Sequence, residues 1–213
     1  MTDVWSDRAE AYRESEAHRS GRDLDLIVEW SAGARTALDV ATGGGHVARR
    51  LREAGLQVVT TDAAPGMEPD VICRSEELPF ADGSFDVVAC RVAAHHFDDV
   101  ALAVREMVRV SAKLVLISDN LHGGDVLEQA EKLRDPSHVR NYAEDEWRSF
   151  LEDAGARVAV VEAIQHPIEL QGWLDRAGCT GADAQRVREL VADRTDGERV
   201  VLDRIVIKSE KDA

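Results

Sequence analysis

Three glycines stand in a row at Gly43-Gly44-Gly45, directly after Ala37-Leu38-Asp39-Val40-Ala41-Thr42 and directly before His46-Val47-Ala48-Arg49-Arg50-Leu51. A strand that runs into glycines and then into a helix brings backbone amides against a ligand. Glycine permits the sharp turn and has no side chain to hold the ligand away. One glycine would serve an ordinary turn; three in this context argue for a bound molecule. Gly43, Gly45 and Ala48 satisfy the pattern G-x-G-x-x-G/A, and Asp62 follows about 20 residues on, at the end of the next apolar run. A carboxylate there can accept hydrogen bonds from both hydroxyls of a ribose, or it can be an ordinary loop acid. No Arg or Lys follows Asp62 immediately, which counts against a 2′-phosphate. The turn by itself does not identify the ligand, and an NAD-dependent Rossmann oxidoreductase is a competitor on these residues.

A second group of residues offers proton chemistry. His95 and His96 are adjacent and follow an apolar run. Imidazole, with a pKa near working pH, can take a proton from a hydroxyl or from a ring carbon activated by a phenol. The same pair could instead contact a cofactor or cap the helix that begins at Asp98. His18 and His138 are further candidates for catalysis, and Tyr12, Arg134 and Arg140 for binding an anionic or phenolic acceptor, arginine supplying a planar fork of donors. The bland alternative for these is a solvated surface, and Asp135-Pro136-Ser137 is also a plain turn signal. Asp98-Asp99 reads as an acidic helix start. No metal site is expected, since Cys73, Cys90 and Cys179 are scattered without CxxC spacing. Trp173 reads as core.

The elements that must position these residues alternate. Strand patterns cover Thr36–Thr42, Gln57–Ala63, Val71–Arg74, Phe85–Arg91, Lys113–Asp119, Arg157–Ile164 and Val200–Lys208. The first, fourth and fifth are nearly continuous apolar runs, as expected of central parallel strands covered on both faces. Helical spacing fills His46–Ala54, Asp98–Val110 and Ala143–Ala154, with Gly55 and Gly155 just past two of them, where a left-handed cap is favoured. This predicts a doubly wound α/β fold, Rossmann-like, with helices on both faces of a mostly parallel sheet. Asp196-Gly197 marks a tight turn before the last strand, which reads as an antiparallel edge strand. The reading is of one domain over 1–213, with a helical lid at 1–33, a cofactor-binding half at 34–120, a cap insertion at 121–142 and a C-terminal half at 143–213. Lid and cap are expected over the carboxyl ends of the strands.

The bulk composition bounds the partners. The chain of 213 residues carries a net charge of −15, which disfavours a grip on nucleic acid and favours a small-molecule substrate. No apolar run reaches the roughly 18–20 residues needed to span a bilayer, and the N-terminus lacks the pattern of a signal peptide. With unpaired cysteines, a reducing cytoplasm is the expected location. The oligomeric state is not legible.

Three stretches together resemble the class I S-adenosylmethionine-dependent methyltransferases, in particular the ubiquinone/menaquinone-biosynthesis-like (methyltransferase type 11) branch. Leu38–Gly45 is similar to the branch's L-D-x-A-T-G-x-G loop. Glu76-Glu77-Leu78-Pro79-Phe80-Ala81-Asp82-Gly83-Ser84-Phe85-Asp86-Val87-Val88 is similar to its E-x-L-P-F-x-D-x-S-F-D-x-V block. Ala94-His95-His96-Phe97 follows the fourth strand. The similarity also takes in Tyr12, His18 and the block Lys132–Arg140. The glycine loop is a weak signal alone; joined to the second block it is quite specific.

The resemblance implies seven strands with the last reversed, S-adenosyl-L-methionine as cofactor, and transfer of its methyl group to a small-molecule acceptor by in-line displacement, mainly through proximity and orientation. It implies that Asp39, Ala41, Thr42, Gly43 and Gly45 border the methionine part, that Asp62 and Ala63 meet the ribose, that Ser75 and Glu76 flank the adenine, and that Arg91 lies beside the methionine. A non-catalytic S-adenosylmethionine-binding module is a further alternative. The chain departs from the branch in three places. Cys73-Arg74-Ser75 replaces G-D-A, so an arginine stands where an acid commonly accepts from the adenine amino group. The segment Ala63–Pro69 is too short for the usual helix, and Ser111-Ala112 lacks the usual glycines.

Overall fold

The computed structural model describes residues 4–14 and 16–211. Its central strands form where the apolar runs are longest. β1 (Thr36–Val40), β4 (Phe85–Arg91) and β5 (Ser111–Asn120) are buried along most of their length, because helices cover both faces. β2 (Gln57–Asp62) and a two-residue β3 (Val71–Ile72) complete one side, while β6 (Ala156–Glu169) and β7 (Arg199–Lys211) complete the other. The order is β3-β2-β1-β4-β5-β7-β6. The first five strands are mutually parallel, and β7 runs antiparallel to both β5 and β6. This is the expected sheet with a reversed last strand. The reversed strand lies between β5 and β6, however, so β6 takes the edge.

Helices α4 (His46–Glu53) and α3 (Arg22–Trp30) cover one face through Leu24, Ile27, Val47 and Leu51. α5 (Val100–Val110) and α7 (Glu144–Asp153) cover the other through Val104, Met107, Trp147 and Leu151. Asp99 accepts a hydrogen bond from the Leu102 amide (2.9 Å), so the acidic helix start is an N-cap.

β6 and β7 differ from expectation. They extend past the sheet body to Glu169 and Arg199; β6 runs several residues beyond the expected Ile164 end, whereas β7 starts next to the expected Val200. Pro167 lies inside this extension, which a strand tolerates at a sheet edge. The extension is covered by α6 (Asp125–Arg134), α8 (Leu170–Arg176) and α9 (Gly181–Leu190). Leu127, Ile168, Trp173, Leu174, Val187 and Leu202 give this region its own apolar cluster, which includes Trp173 at 3% exposure, in the core as expected. α8 is the short helix expected to carry Trp173, and α9 has no counterpart in the expected elements.

At the chain's start, α1 (Val4–Glu14) and α2 (Glu16–Arg19) precede α3. α1 lies over a single 3-10 turn, Pro65–Met67, which stands in the short segment after β2. The Gly66 amide donates to Ser6 Oγ (2.7 Å), and Ala9, Ala64 and Met67 pack together with Trp5 and Tyr12. α1 thus fills the space that a helix after β2 would take. At the other side, the Arg8 guanidinium donates to both Asp135 carboxylate oxygens (3.1 and 3.2 Å) and to the Ala177 carbonyl (2.9 Å).

Candidate functional site

The carboxyl ends of β1 and β4 are where the backbone leaves its ordinary range. Ala41 and Val92 each adopt a left-handed conformation with φ of 53°. For the β-branched Val92 this is a costly state, kept only where the surroundings over-determine it. Both residues line a cavity of about 360 Å³, a size suited to a cofactor-sized molecule. Its wall includes Asp39, Thr42, Gly43, Asp62, Ala63, Ser75, Glu76 and Arg91 from the sheet side, and α1 and α2 close it with Trp5, Tyr12 and His18.

The glycine turn is held by two carboxylates. Asp39 Oδ2 accepts from Thr42 Oγ1 (2.6 Å) and from the Ala48 amide (3.1 Å), tying the strand end to the first turn of α4. Burial pushes the Asp39 carboxyl up to about 6 against these two bonds. Asp62 Oδ2 accepts from the Gly43 amide (3.0 Å) and its Oδ1 from the Ala64 amide (2.9 Å). Gly45 takes another role than the one expected: left-handed at φ 73°, it is the N-cap of α4 and does not reach the cavity wall.

At one end of the cavity, Arg74 donates to Asp98 (2.6 Å) and to Glu76 (3.3 Å), and all three line the wall. Glu76 also accepts from the amides of Asp98 and Asp99 (3.1 and 3.3 Å). An acid therefore stands beside the arginine that replaced one. Asp98 reaches the wall from the start of α5, a placement that depends on how the loop after β4 folds back.

Arg91 is engaged behind the wall. Its Nε and Nη2 donate to Asp23 (2.6 and 3.2 Å), and its Nη1 donates to the His18 carbonyl (2.9 Å). Arg204 donates to the same Asp23 carboxylate (2.8 Å). Burial opposes charge on Asp23, but Arg204 and Arg91 outweigh it and hold the carboxyl well below its usual range.

The histidines separate into different surroundings. His95 is buried, its ring Nδ1 2.5 Å from Asp119 Oδ1, and its amide donates to Asp119 Oδ2 (3.0 Å). Burial opposes charge on this ring, and Asp119 outweighs it, so its pKa lies above the ordinary value. His96 has the opposite balance: burial, then the neighbouring His95, hold it well below the ordinary value. Its Nδ1 lies 3.1 Å from the Ser137 carbonyl, so the neutral ring donates there and keeps the lone pair on Nε2. The Trp5 ring packs edge-on against it at 4.6 Å. His18 lines the cavity, and burial, then Arg91, lower its pKa well below the ordinary value. His138 reaches no cavity wall: its side chain is wholly buried and Nε2 meets Glu128 (3.1 Å).

A smaller chamber of about 40 Å³ adjoins the large cavity and shares Tyr12, His18, Val92 and His96 with it. His95 and Arg134 line this chamber, whereas Arg140 lines neither space. The Arg140 guanidinium pairs with Glu146 at the exposed start of α7 and covers the Tyr142 ring at 4.8 Å. The expected acceptor-binding set is therefore brought together only in part. The sequence reading missed Asp98, Met67, Phe97 and Arg176 as wall residues; the first three are reached through loops and turns, which carry no periodic signal.

Among the described residues, no group of histidine, cysteine and acidic side chains is arranged to hold a metal ion, and no helix is long and apolar enough to cross a membrane.

Comparison with known proteins agrees with this arrangement. Residues 38–114 match the family described as a methyltransferase domain. The chain is 30% identical over 206 residues to the uncharacterized methyltransferase YcgJ of Bacillus subtilis, covering 85% of this chain and 81% of that protein. It is 34% identical over 107 residues to the demethylmenaquinone methyltransferase of Thermus thermophilus, covering 43% of this chain and 48% of that one. The crystal structure of the BH2331 protein of Bacillus halodurans superposes with a TM-score of 0.79 at 28% identity, covering 91% of this chain and all of that one. The nicotinamide reading of the glycine turn is set aside by this match and by the reversed β7, which the dinucleotide fold lacks. The chain belongs to the class I methyltransferase family, enzymes that take the methyl group from S-adenosylmethionine.

Proposed function

We propose that the 360 Å³ cavity binds S-adenosylmethionine and that the enzyme methylates a small organic acceptor seated beneath α1 and α2, against Tyr12, His18 and His96. The observation that carries this reading is the cover over the cavity. The N-terminal helices lie over the carboxyl ends of β1, β2 and β4 and narrow the site to a space of molecular size. The net charge of −15 argues in the same direction against nucleic acid.

The residues present fit the cofactor. The Cβ that Gly43 lacks would meet nothing within 4 Å, so the backbone there is open to the cavity it lines. Asp62, with Ala63 beside it, is placed to accept from the ribose hydroxyls. Asp39, Ala41, Thr42 and Gly43 border the methionine part. Ser75 and Glu76 flank the adenine, with Asp98 rather than Arg74 supplying the nearby acid. Arg91, held by Asp23 and the His18 carbonyl, acts as a positioning residue. Bound S-adenosylmethionine supplies a methyl group already activated on a sulfonium. The chain's own task is then to align the acceptor and exclude water.

His96 is the histidine best suited to take a proton from the acceptor. It lines both spaces, and its neutral ring keeps the lone pair on Nε2. His95, with Asp119 behind it, positions that ring at a centroid distance of 4.1 Å. The test is calorimetric titration with S-adenosylmethionine and S-adenosylhomocysteine, followed by transfer of labelled methyl to a library of small acceptors. Binding of both with loss in Asp62→Ala supports the reading. A chain that binds neither would sink it, and binding without turnover would reduce it to a cofactor-binding module.

A further inference from the structure

The 40 Å³ chamber has an unusual charge balance. It is walled by Arg134 from α6, Arg176 from α8, His166 from β6, Arg204 from β7 and Asn120 from the end of β5. Arg134 pairs with Glu131 (3.3 Å) and lies over the Trp173 ring at 4.6 Å. Arg204 shares the single carboxylate of Asp23 with Arg91. Arg176, half-buried, makes no hydrogen bond or ion pair among the described residues. Burial, then Arg134, lower its pKa, and Tyr12 and the Glu169 carboxylate offset only part of this. His166 is neutral and adds no charge of either sign, since burial, then Arg204, push it down to about 4. The chamber is thus cationic inside a protein whose net charge is −15.

Two further polar atoms, in residues that line this chamber, have no partner among the described residues. Arg204 Nε and Asn120 Oδ1 are buried and unbonded, in residues only 3% and 8% exposed. Such atoms are costly unless something satisfies them, and natural interiors leave few of them. Here a donor and an acceptor belong to residues that line one small chamber, beside an unpaired guanidinium.

We propose that the methyl acceptor is a small carboxylic acid whose carboxylate sits in this chamber, on Arg176 and the Arg204 Nε–H, while a donor group of the same molecule satisfies Asn120 Oδ1. The size fits: the chamber holds a few waters, and hence one planar carboxylate. The planar guanidinium fork matches that group. The remainder of the molecule then lies at the shared wall of Tyr12, His18, Val92 and His96, next to the large cavity. The assignment rests on the reading of the large cavity as the methyl donor's site.

The test uses the full chain saturated with S-adenosylhomocysteine and titrated with benzoate and acetate, with benzamide and acetamide as neutral counterparts and phenyl phosphate as a tetrahedral anion. Benzoate is expected to bind and benzamide not. Arg176→Gln should weaken benzoate about 30-fold or more, the loss of one buried charge partner, with S-adenosylhomocysteine affinity unchanged within about twofold. Arg176→Lys should restore part of the affinity. Without any ligand, Arg176→Met should melt higher than the unmodified chain, because it removes an uncompensated charge. Equal binding of benzamide, preference for phenyl phosphate, or benzoate binding untouched in Arg176→Gln would each overturn the proposal. So would a chain that binds S-adenosylhomocysteine but no carboxylate. Failure to bind S-adenosylhomocysteine at all would overturn the donor-site reading as well.

Discussion

Tyr12 and Gly44 meet backbone to backbone: a methyl group added at Gly44 would lie 2.6 Å from the Tyr12 carbonyl oxygen. The same carbonyl accepts from His46 Nε2 (2.9 Å), so α1 is seated on the glycine turn and on the first residue of α4. Gly44→Ala must therefore move α1 or the turn. Overpacking of this kind costs about 1–3 kcal/mol, and here it falls on the contact that closes the cavity. The expected result is weaker S-adenosylhomocysteine binding by about tenfold, faster proteolysis within residues 4–14, and little change in the melting of the sheet. Unchanged affinity would mean that the closure does not depend on this contact.

Ion pairs near the cavity should differ in how much their loss costs. Asp23 is 1% exposed and compensates both Arg91 and Arg204. Asp23→Asn leaves two buried guanidinium groups without their carboxylate, and chemical denaturation should show a loss of about 3–5 kcal/mol. Arg74 pairs with Asp98 at the rim, where the Arg74 side chain is 57% exposed. Arg74→Ala should change stability by less than about 1 kcal/mol, since water screens such pairs.

The parts of the fold that were legible in the sequence are those whose burial is uniform. Val87, Val88 and Ala89 on β4, and Leu116 and Ile117 on β5, are wholly buried, and an unbroken apolar run reports that directly. Two residues of the cavity wall were legible for a related reason: Gly43 and Asp62 sit where strands end, and strand ends follow from the runs. β6 was read short because its outer part alternates between exposed and half-buried residues and contains Pro167. α9 has no counterpart among the expected elements, and of α8 the sequence shows only a short helix around Trp173, because Gly172, Gly178 and Gly181 interrupt short helices whose apolar faces meet α6 and the outer parts of β6 and β7. Arg176 could not have been chosen from the sequence, since its significance is the lack of a partner. Arg140 was chosen for its type, and Glu146, six residues on, claims it.

Asp39 offers a test of the glycine turn by pH. Its carboxyl is pushed from an ordinary 3.8 up to about 6 by burial. Between about pH 4 and 6 the folded chain keeps this proton while the unfolded chain has lost it, so this group's contribution to stability is present at low pH and is lost as pH rises through the folded value. A shift of this size corresponds to about 3 kcal/mol. Asp39→Asn cannot ionise and can still accept from Thr42 and Ala48. Denaturation midpoints should therefore show the variant gaining on the parent as pH rises from 4 to 7. A constant difference across that range would show that Asp39 titrates normally.

His96 should control turnover without controlling cofactor binding. Its Nδ1 is committed to the Ser137 carbonyl, and its pKa is held well below the ordinary 6.5 by burial and by His95. The ring is then neutral at working pH, the form a base requires, although its basicity is reduced. His96→Gln should lower kcat by about 100-fold or more, within the usual range for general-base removal, with S-adenosylhomocysteine affinity preserved. The pH dependence separates this from a packing defect. With a depressed folded pKa, the histidine's contribution to stability is present above pH 6.5 and is lost as pH falls below it, because the unfolded ring protonates first. Turnover, in contrast, follows the folded value, so kcat should stay level from pH 8 to 6.5 and decline only further down. A decline centred at 6.5 would assign the titration to an ordinary exposed histidine, and an unchanged kcat in His96→Gln would leave orientation alone to carry the reaction.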